Sequence, residues 1–107
     1  TVQAQELLSF VLDKMDDMKA KDITSLDVKG KSNVTEAMVI CSGTSNRHTR
    51  SIADYLVKEA KKAGLSILGI EGTGSGEWVL IDLGDVIAHV MQEESRSFYQ
   101  LEKLWSA

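Results

Sequence analysis

The segment that decides the fold reads Trp78-Val-Leu-Ile-Asp-Leu-Gly-Asp-Val-Ile-Ala-His-Val-Met91. Two apolar runs on either side of a glycine and an aspartate predict a β-hairpin with Gly84 and Asp85 as the central pair of its turn. Glycine at the first central position suits the type II′ turn, whose twist matches that of the paired strands. Leu83 then lies opposite Val86, and the pairing of the whole hairpin follows by counting outward.

The two faces of this hairpin differ in composition. One face is wholly apolar and is predicted to be core; it pairs Leu83 with Val86, Ile81 with Ala88 and Val79 with Val90. The other face mixes large apolar groups with titratable ones; it pairs Asp82 with Ile87, Leu80 with His89 and Trp78 with Met91. A mixed face is either covered by a helix, with Asp82 and His89 at its margin, or left open as an apolar contact patch with a polar rim. The alternation alone leaves both interpretations open.

Composition and charge restrict the class of protein. The chain has 107 residues, 43% hydrophobic and 26% charged, which fits one soluble globular domain spanning 1–107. We find no apolar run of the roughly 20 residues that a membrane helix needs and no signal-peptide pattern, so we expect a cytoplasmic protein. The net charge of -4 argues against a broad phosphate-binding surface and therefore predicts little direct contact with RNA. A basic protein is the more natural partner.

Hydrophobic periodicity predicts three helices and five strands in one α/β domain with a mixed sheet. The predicted order is helix, strand, strand, helix, strand, strand, strand, helix. The helices are predicted at 3–20, from Thr44 or Ser45 to Ala63, and at Glu93–Ser106; the strands before the hairpin are predicted at Ile23–Val28, Ala37–Ser42 and Ser66–Glu71. Gly64 is the expected left-handed terminator of the second helix. That helix should connect two parallel strands, whereas the hairpin must be antiparallel.

Four features of the sequence could carry chemistry. Gly72, Gly74 and Gly76 lack the spacing and the following helix of a phosphate-binding loop, so they are interpreted as a mobile connection. The turn Gly43-Thr44-Ser45, which opens a helix beside Arg47, His48 and Arg50, either caps the helix locally or binds an external anion. Asp82, Asp85 and His89 are of metal-binding or acid-base type, yet they are better explained as a solvated rim or as interface contacts. Cys41 lies in an apolar run and is predicted to be a buried, inert thiol. No cofactor, metal or catalytic residue is therefore assigned.

The chain resembles the ribosomal silencing factor family, also called the Iojap or YbeB family. The segments that carry the resemblance span nearly the whole chain in order. They are Ile23-Thr-Ser-Leu-Asp-Val-Lys-Gly30, Cys41-Ser-Gly-Thr-Ser45 with Arg47-His48, Ser51-Ile-Ala-Asp54, Trp78-Val-Leu-Ile-Asp-Leu-Gly-Asp85, Val86-Ile-Ala-His-Val-Met-Gln-Glu-Glu-Ser-Arg96 and Leu101-Glu-Lys-Leu-Trp105.

The resemblance implies a translational repressor that is not an enzyme. It would bind the large ribosomal subunit through ribosomal protein uL14, the fourteenth protein of that subunit, and sterically block association with the small subunit when nutrients are scarce. It also implies a nucleotidyltransferase-like fold, in which the strand after the Gly43–Ser45 helix should carry paired metal-binding acids. Here that strand offers only Glu71, so the metal-binding half is missing.

The family's partner-binding surface is carried onto the mixed face of the hairpin and the start of the last helix. Its members are Trp78, Leu80, Asp82, Asp85, His89 and Met91, with Arg96 and Tyr99 as weaker ones. Trp78, Leu80 and Met91 would form the apolar centre, and the two aspartates would meet basic groups at the rim. Two alternatives remain: a nucleotide-using or metal-using enzyme with Gly43, Ser45, Asp82 and Asp85 at its site, and a homodimer joined through the open face.

Overall fold

The computed structural model describes residues 2–28 and 35–99, with side chains described at 4–28 and 35–97. Its elements are α1 (Val2–Asp17), β1 (Lys21–Asp27), β2 (Ala37–Gly43), α2 (Asn46–Lys62), β3 (Gly69–Glu71), β4 (Trp78–Asp82), β5 (Val86–Gln92) and α3 (Glu93–Tyr99). This confirms the predicted order and the α/β fold class with a mixed five-stranded sheet. The part of the last helix predicted beyond residue 99 lies outside the described residues. None of the described helices is long and apolar enough to cross a bilayer.

The strands are ordered β1-β2-β5-β4-β3 in the sheet. The central pair, β2 and β5, is parallel, and the other three pairs are antiparallel. Strands β2 and β3 therefore run in the same direction, as predicted for the connection through α2, but the hairpin β4–β5 lies between them. The third strand is shorter than the predicted Ser66–Glu71, because its partner β4 ends at Asp82, which pairs with Gly69.

The predicted register of the hairpin is confirmed along its whole length. Trp78 pairs with Met91, and Asp82 pairs with Ile87. At the turn, the amide of Leu83 donates to the carbonyl of Val86 over 3.0 Å. Gly84 has φ +89° while the following Asp85 is not in the left-handed region, as a type II′ turn requires and a type I′ turn would not allow.

The main core lies on the helix-side face, which is the face of the sheet that α1 and α2 cover. The wholly apolar hairpin face contributes to it, together with Val39 and Cys41 from β2. Helix α2 presents Ile52, Ala53, Leu56 and Ala60 at the predicted helical spacing, all of them buried. Every residue of β2 is buried, since this strand is covered on both faces and paired on both sides. Cys41 is buried as predicted, and burial raises the pKa of its thiol to about 12.

Helices α1 and α2 end in the same way with different residues. After α2, the amide of Leu65 donates to Ala60 and that of Gly64 to Lys61, with Gly64 at φ +77°. After α1, the amide of Ala20 donates to Met15 and that of Lys19 to Asp16, with Lys19 at φ +58°. Both are Schellman motifs, in which the residue in the left-handed region is preferably glycine. Lys19 therefore carries a backbone strain that Gly64 avoids.

Substitutions at the two helix ends should change the free energy of unfolding in opposite directions. We expect Gly64→Ala to lower the free energy of unfolding by about 1 kcal/mol, because a Cβ there has open space and only the backbone is strained. Lys19→Gly should raise it by about 0.5 kcal/mol, since relief of strain exceeds the entropy cost of glycine. Urea unfolding of both variants measures the difference. A change of the same sign in both would contradict this account of the helix ends.

Candidate functional site

The opposite face of the sheet, away from α1 and α2, is divided into a buried centre and a half-buried strip. Its centre is a second apolar cluster of Val28, Met38, Ile40 and Met91, with Leu26 and Trp78 packed against it. The half-buried strip consists of Trp78, Leu80, Asp82 and Ile87, at the β4 side of the hairpin. The two interpretations left open by the sequence thus each apply to a part of this face.

Helix α3 is attached to this face by Arg96. Its described part contacts β5 and β2. The Arg96 guanidinium donates to Ser42 Oγ and to Thr24 Oγ1, both over 3.0 Å. These partners lie on β2 and β1, so Arg96 points toward the side of the sheet away from β4. The two bonds therefore attach α3 to the β1 and β2 side of this face. Tyr99 belongs to α3, but its side chain lies outside the described part of the chain.

A hydrogen bond joins Trp78 of the strip to a buried ring on the neighbouring strand β5. The Trp78 indole Nε1–H donates to His89 Nδ1 over 2.9 Å, and the ring centroids are 5.8 Å apart at an interplanar angle of 42°. An indole nitrogen can only donate, so His89 Nδ1 must be unprotonated. The imidazole is therefore the neutral tautomer with its proton on Nε2.

His89 is buried in an environment that disfavours its charged form. Its side chain is 4% exposed, and burial lowers its pKa to about 4. Among the described residues, Nε2 has no hydrogen-bond partner. A buried donor without a partner costs roughly 1–3 kcal/mol of stability, so His89 Nε2 lowers the stability of the fold. An unsatisfied buried polar group in a native protein calls for an explanation, and a functional role is one.

The acidic residues lie along the margin of the strip. Asp82 is half-buried, and its Oδ1 accepts the amide of Gly84 over 2.9 Å, which holds the carboxylate beside the turn. Glu71 is exposed on β3 and pairs with Leu80, so its side chain shares the face of the strip. Asp85 is exposed at the turn, roughly 20 Å from Trp78 along the strand direction. The strip therefore has an apolar end at Trp78 and an acidic end at the turn.

Two sequence-based expectations about this surface need correction. His89 was expected at the polar margin of the face, but it is 4% exposed because it lies on β5 between paired strands on both sides. Met91 was expected in an exposed apolar centre, but it is 0% exposed because β5 is a central strand and Met91 belongs to the second core cluster. Ile87 and Glu71 were not assigned to the surface, yet both face it. The alternation already placed Ile87 on the mixed face, whereas Glu71 depended on the pairing of β3 with β4, which no local pattern predicts.

The Gly43–Ser45 turn uses its polar groups for local capping. Thr44 donates its amide to His48 Nδ1 over 2.9 Å, and His48 Nε2–H in turn donates to the Met18 carbonyl at the end of α1. Ser45 Oγ accepts the amide of His48 as the N-cap of α2. The cleft beside the turn, about 370 Å³, is lined by Glu93 and Glu94 as well as by Lys21. This arrangement favours the capping interpretation over an anion site.

The residues of the enzyme alternative, Gly43 and Ser45 on one side and Asp82 and Asp85 on the other, are not brought together. Gly43 pairs with Gln92 and Asp82 with Ile87, so the turn and the acid are five residues apart along β5, roughly 16 Å. In the described ranges, no three His, Cys, Asp or Glu side chains converge to hold a metal ion. The glycine-rich segment 72–76 packs against the start of α2 instead, where Arg50 donates to the Gly74 carbonyl.

Comparison with known proteins matches the chain over its full length. A family model described as "Ribosomal silencing factor during starvation" matches residues 1–107. A Haemophilus influenzae protein named "Ribosomal silencing factor RsfS" is 46% identical over 100 residues, covering 94% of this chain and 98% of that protein. A protein of the same name from Halalkalibacterium halodurans is 43% identical, covering 94% of this chain and 86% of that protein. The crystal structure of a Chromobacterium violaceum protein superposes with a TM-score of 0.93 at 39% identity, covering 96% of this chain and 86% of the other.

The buried His89 predicts a specific loss of stability in mild acid. Because its pKa is near 6.5 when unfolded and about 4 when folded, only the unfolded chain gains this proton between those values, and stability falls as the pH falls. From pH 7 to pH 5 we expect His89 to contribute a loss of about 2 kcal/mol. Urea unfolding at both pH values should show this loss in the wild type and lack it in His89→Leu. An equal pH dependence in the two proteins would contradict the burial of a neutral His89.

Proposed function

Because this chain belongs to the ribosomal silencing factor family, we propose that it binds the large ribosomal subunit through ribosomal protein uL14 and sterically blocks association with the small subunit. Family membership makes it a ribosome-associated regulator of translation. The observation that supports the finer mechanism is the half-buried strip, in which Trp78 and Leu80 share a face with the carboxylates of Asp82 and Glu71.

The composition of the strip fits a basic protein partner. Large aromatic side chains that are partly accessible often dominate the binding energy of an interface, and Trp78 is placed to act in this way. Asp82 and Glu71 at the margin would attract basic groups of uL14 and raise the rate of association. The net charge of -4 disfavours direct binding to ribosomal RNA, so binding to a ribosomal protein is favoured.

In this mechanism no covalent bond is made or broken. The bound protein occupies space on the face where the small subunit docks, and translation is damped under nutrient limitation in the cytoplasm. Asp85 would meet the partner at the far end of the strip, whereas Met91 and His89 would act from beneath it. Arg96 would keep α3 in place, because its hydrogen bonds are directed to β1 and β2.

The proposal predicts which surface changes abolish inhibition of subunit joining. In a reassociation assay read by gradient sedimentation, Trp78→Ala should weaken inhibition at least 30-fold, as expected of a hot-spot residue worth about 2 kcal/mol or more. Asp82→Lys should also weaken it, and Asp82→Asn less, since an asparagine can still accept the Gly84 amide. Asp54→Lys is the matched control, because Asp54 is exposed on α2, on the helix-covered side.

Equal inhibition by all four variants and the natural chain would remove the proposed interface. Binding to isolated uL14 gives a second readout, which should weaken as salt concentration rises. The strip could instead join two copies of this chain. Sedimentation of the isolated protein over a dilution series distinguishes this case, because a dimer through the strip would be lost in Trp78→Ala and would compete with uL14.

A further inference from the structure

We infer that His89 is the positioning residue of this contact: its Nδ1 accepts the indole N–H of Trp78 and holds the ring in the orientation that the ribosomal partner meets. The inference rests on the proposed function and extends it from the residue that touches the partner to the residue that orients it. The bond that carries it is 2.9 Å long and joins β4 to β5 diagonally across the face.

The orientation of the Trp78 ring is restrained through its indole N–H, which is bonded to His89. It is the first residue of β4, and the carbonyl of the preceding Glu77 accepts the amide of Gln92, so pairing with β5 holds the backbone on both sides of Trp78. Its side chain is half-buried and packs against the second core cluster. An indole in this position has two rotatable bonds, and a hydrogen bond to its only polar atom fixes both.

His89 is well placed to supply that restraint. It lies in the middle of β5, between Ile40 on β2 and Leu80 on β4, and is 4% exposed. Its ring is therefore held by the sheet on both sides. The second nitrogen, Nε2, has no partner among the described residues, so the ring orientation serves the indole bond alone. A leucine would fill this site without a buried donor, yet the chain keeps an imidazole here.

The test compares two substitutions of His89 in the full chain. His89→Leu removes the acceptor and keeps an apolar side chain, whereas His89→Asn keeps an acceptor oxygen near the place of Nδ1. We expect His89→Leu to weaken binding to large subunits roughly 2- to 12-fold, the cost of immobilising one free side chain on association. His89→Asn should recover most of this loss, and Trp78→Phe should make the His89→Leu substitution nearly silent.

The indole N–H itself supplies a readout that a merely structural role would not move. In nitrogen-15 spectra, the signal that disappears in Trp78→Phe identifies this group. It should exchange slowly with water in the natural chain and in His89→Asn, and rapidly in His89→Leu. Urea unfolding of each variant shows whether it is folded. If His89→Leu is not folded, binding to large subunits is compared between His89→Asn and Trp78→Phe, and indole exchange between His89→Asn and the natural chain.

Two different failures can be distinguished. If His89→Leu is folded, binds as the natural chain does and keeps a slowly exchanging indole, the positioning role is wrong while the contact surface stands. A folded His89→Asn with a slowly exchanging indole but leucine-like binding would also overturn it. If Trp78→Ala binds large subunits as tightly as the natural chain, the contact surface itself is wrong, whatever His89 does.

Discussion

The structure depends on the register of one β-hairpin. Strand β5 is paired on both sides, with β2 and with β4, and its alignment with β4 is determined by the turn between Leu83 and Val86. Side chains alternate along a strand, so a slip of one residue would exchange the two faces of the hairpin. Trp78 would then enter the helix-side core, and Val79 would occupy the accessible face. A glycine with positive φ at position 84 therefore decides both the core and the candidate interface.

On the second face of the sheet, the described part of α3 is attached on the β1, β2 and β5 side. Helix α3 contacts β5 and β2, and Arg96 extends that contact toward β1. Strand β4 lies on the other side of β5, where its side chains are only half-buried. Because strand order rather than side-chain type determines which part of the face is covered, Met91 is core while Trp78, its direct partner across the hairpin, remains accessible.

The electrostatics of this face follow from the same arrangement. In its buried part, the low dielectric keeps His89 neutral, and a neutral imidazole is what the indole N–H requires as an acceptor. At its margin, Asp82 and Glu71 are accessible to a basic partner. Burial thus separates an uncharged aromatic end from an acidic end within a few residues, which is the arrangement of an interface with an apolar centre and a polar rim.

Local sequence patterns determined most of this protein, since they depend on interactions between residues close in the chain. The helices, the hairpin register, the terminator Gly64, the buried thiol of Cys41 and the α/β class all followed from alternation, helical spacing and turn chemistry. The family model, which matches residues 1–107, adds the class of function to what these patterns give.

Only the tertiary structure decided which residues of the mixed face are accessible. The insertion of the hairpin between β2 and β3 brings Glu71 beside Leu80 and places the Gly43 turn about 16 Å from Asp82, and both results depend on pairing between distant segments. The Trp78–His89 bond is also a tertiary result. Alternation assigns each ring to a face, but whether two diagonal rings meet depends on their rotamers, which packing selects.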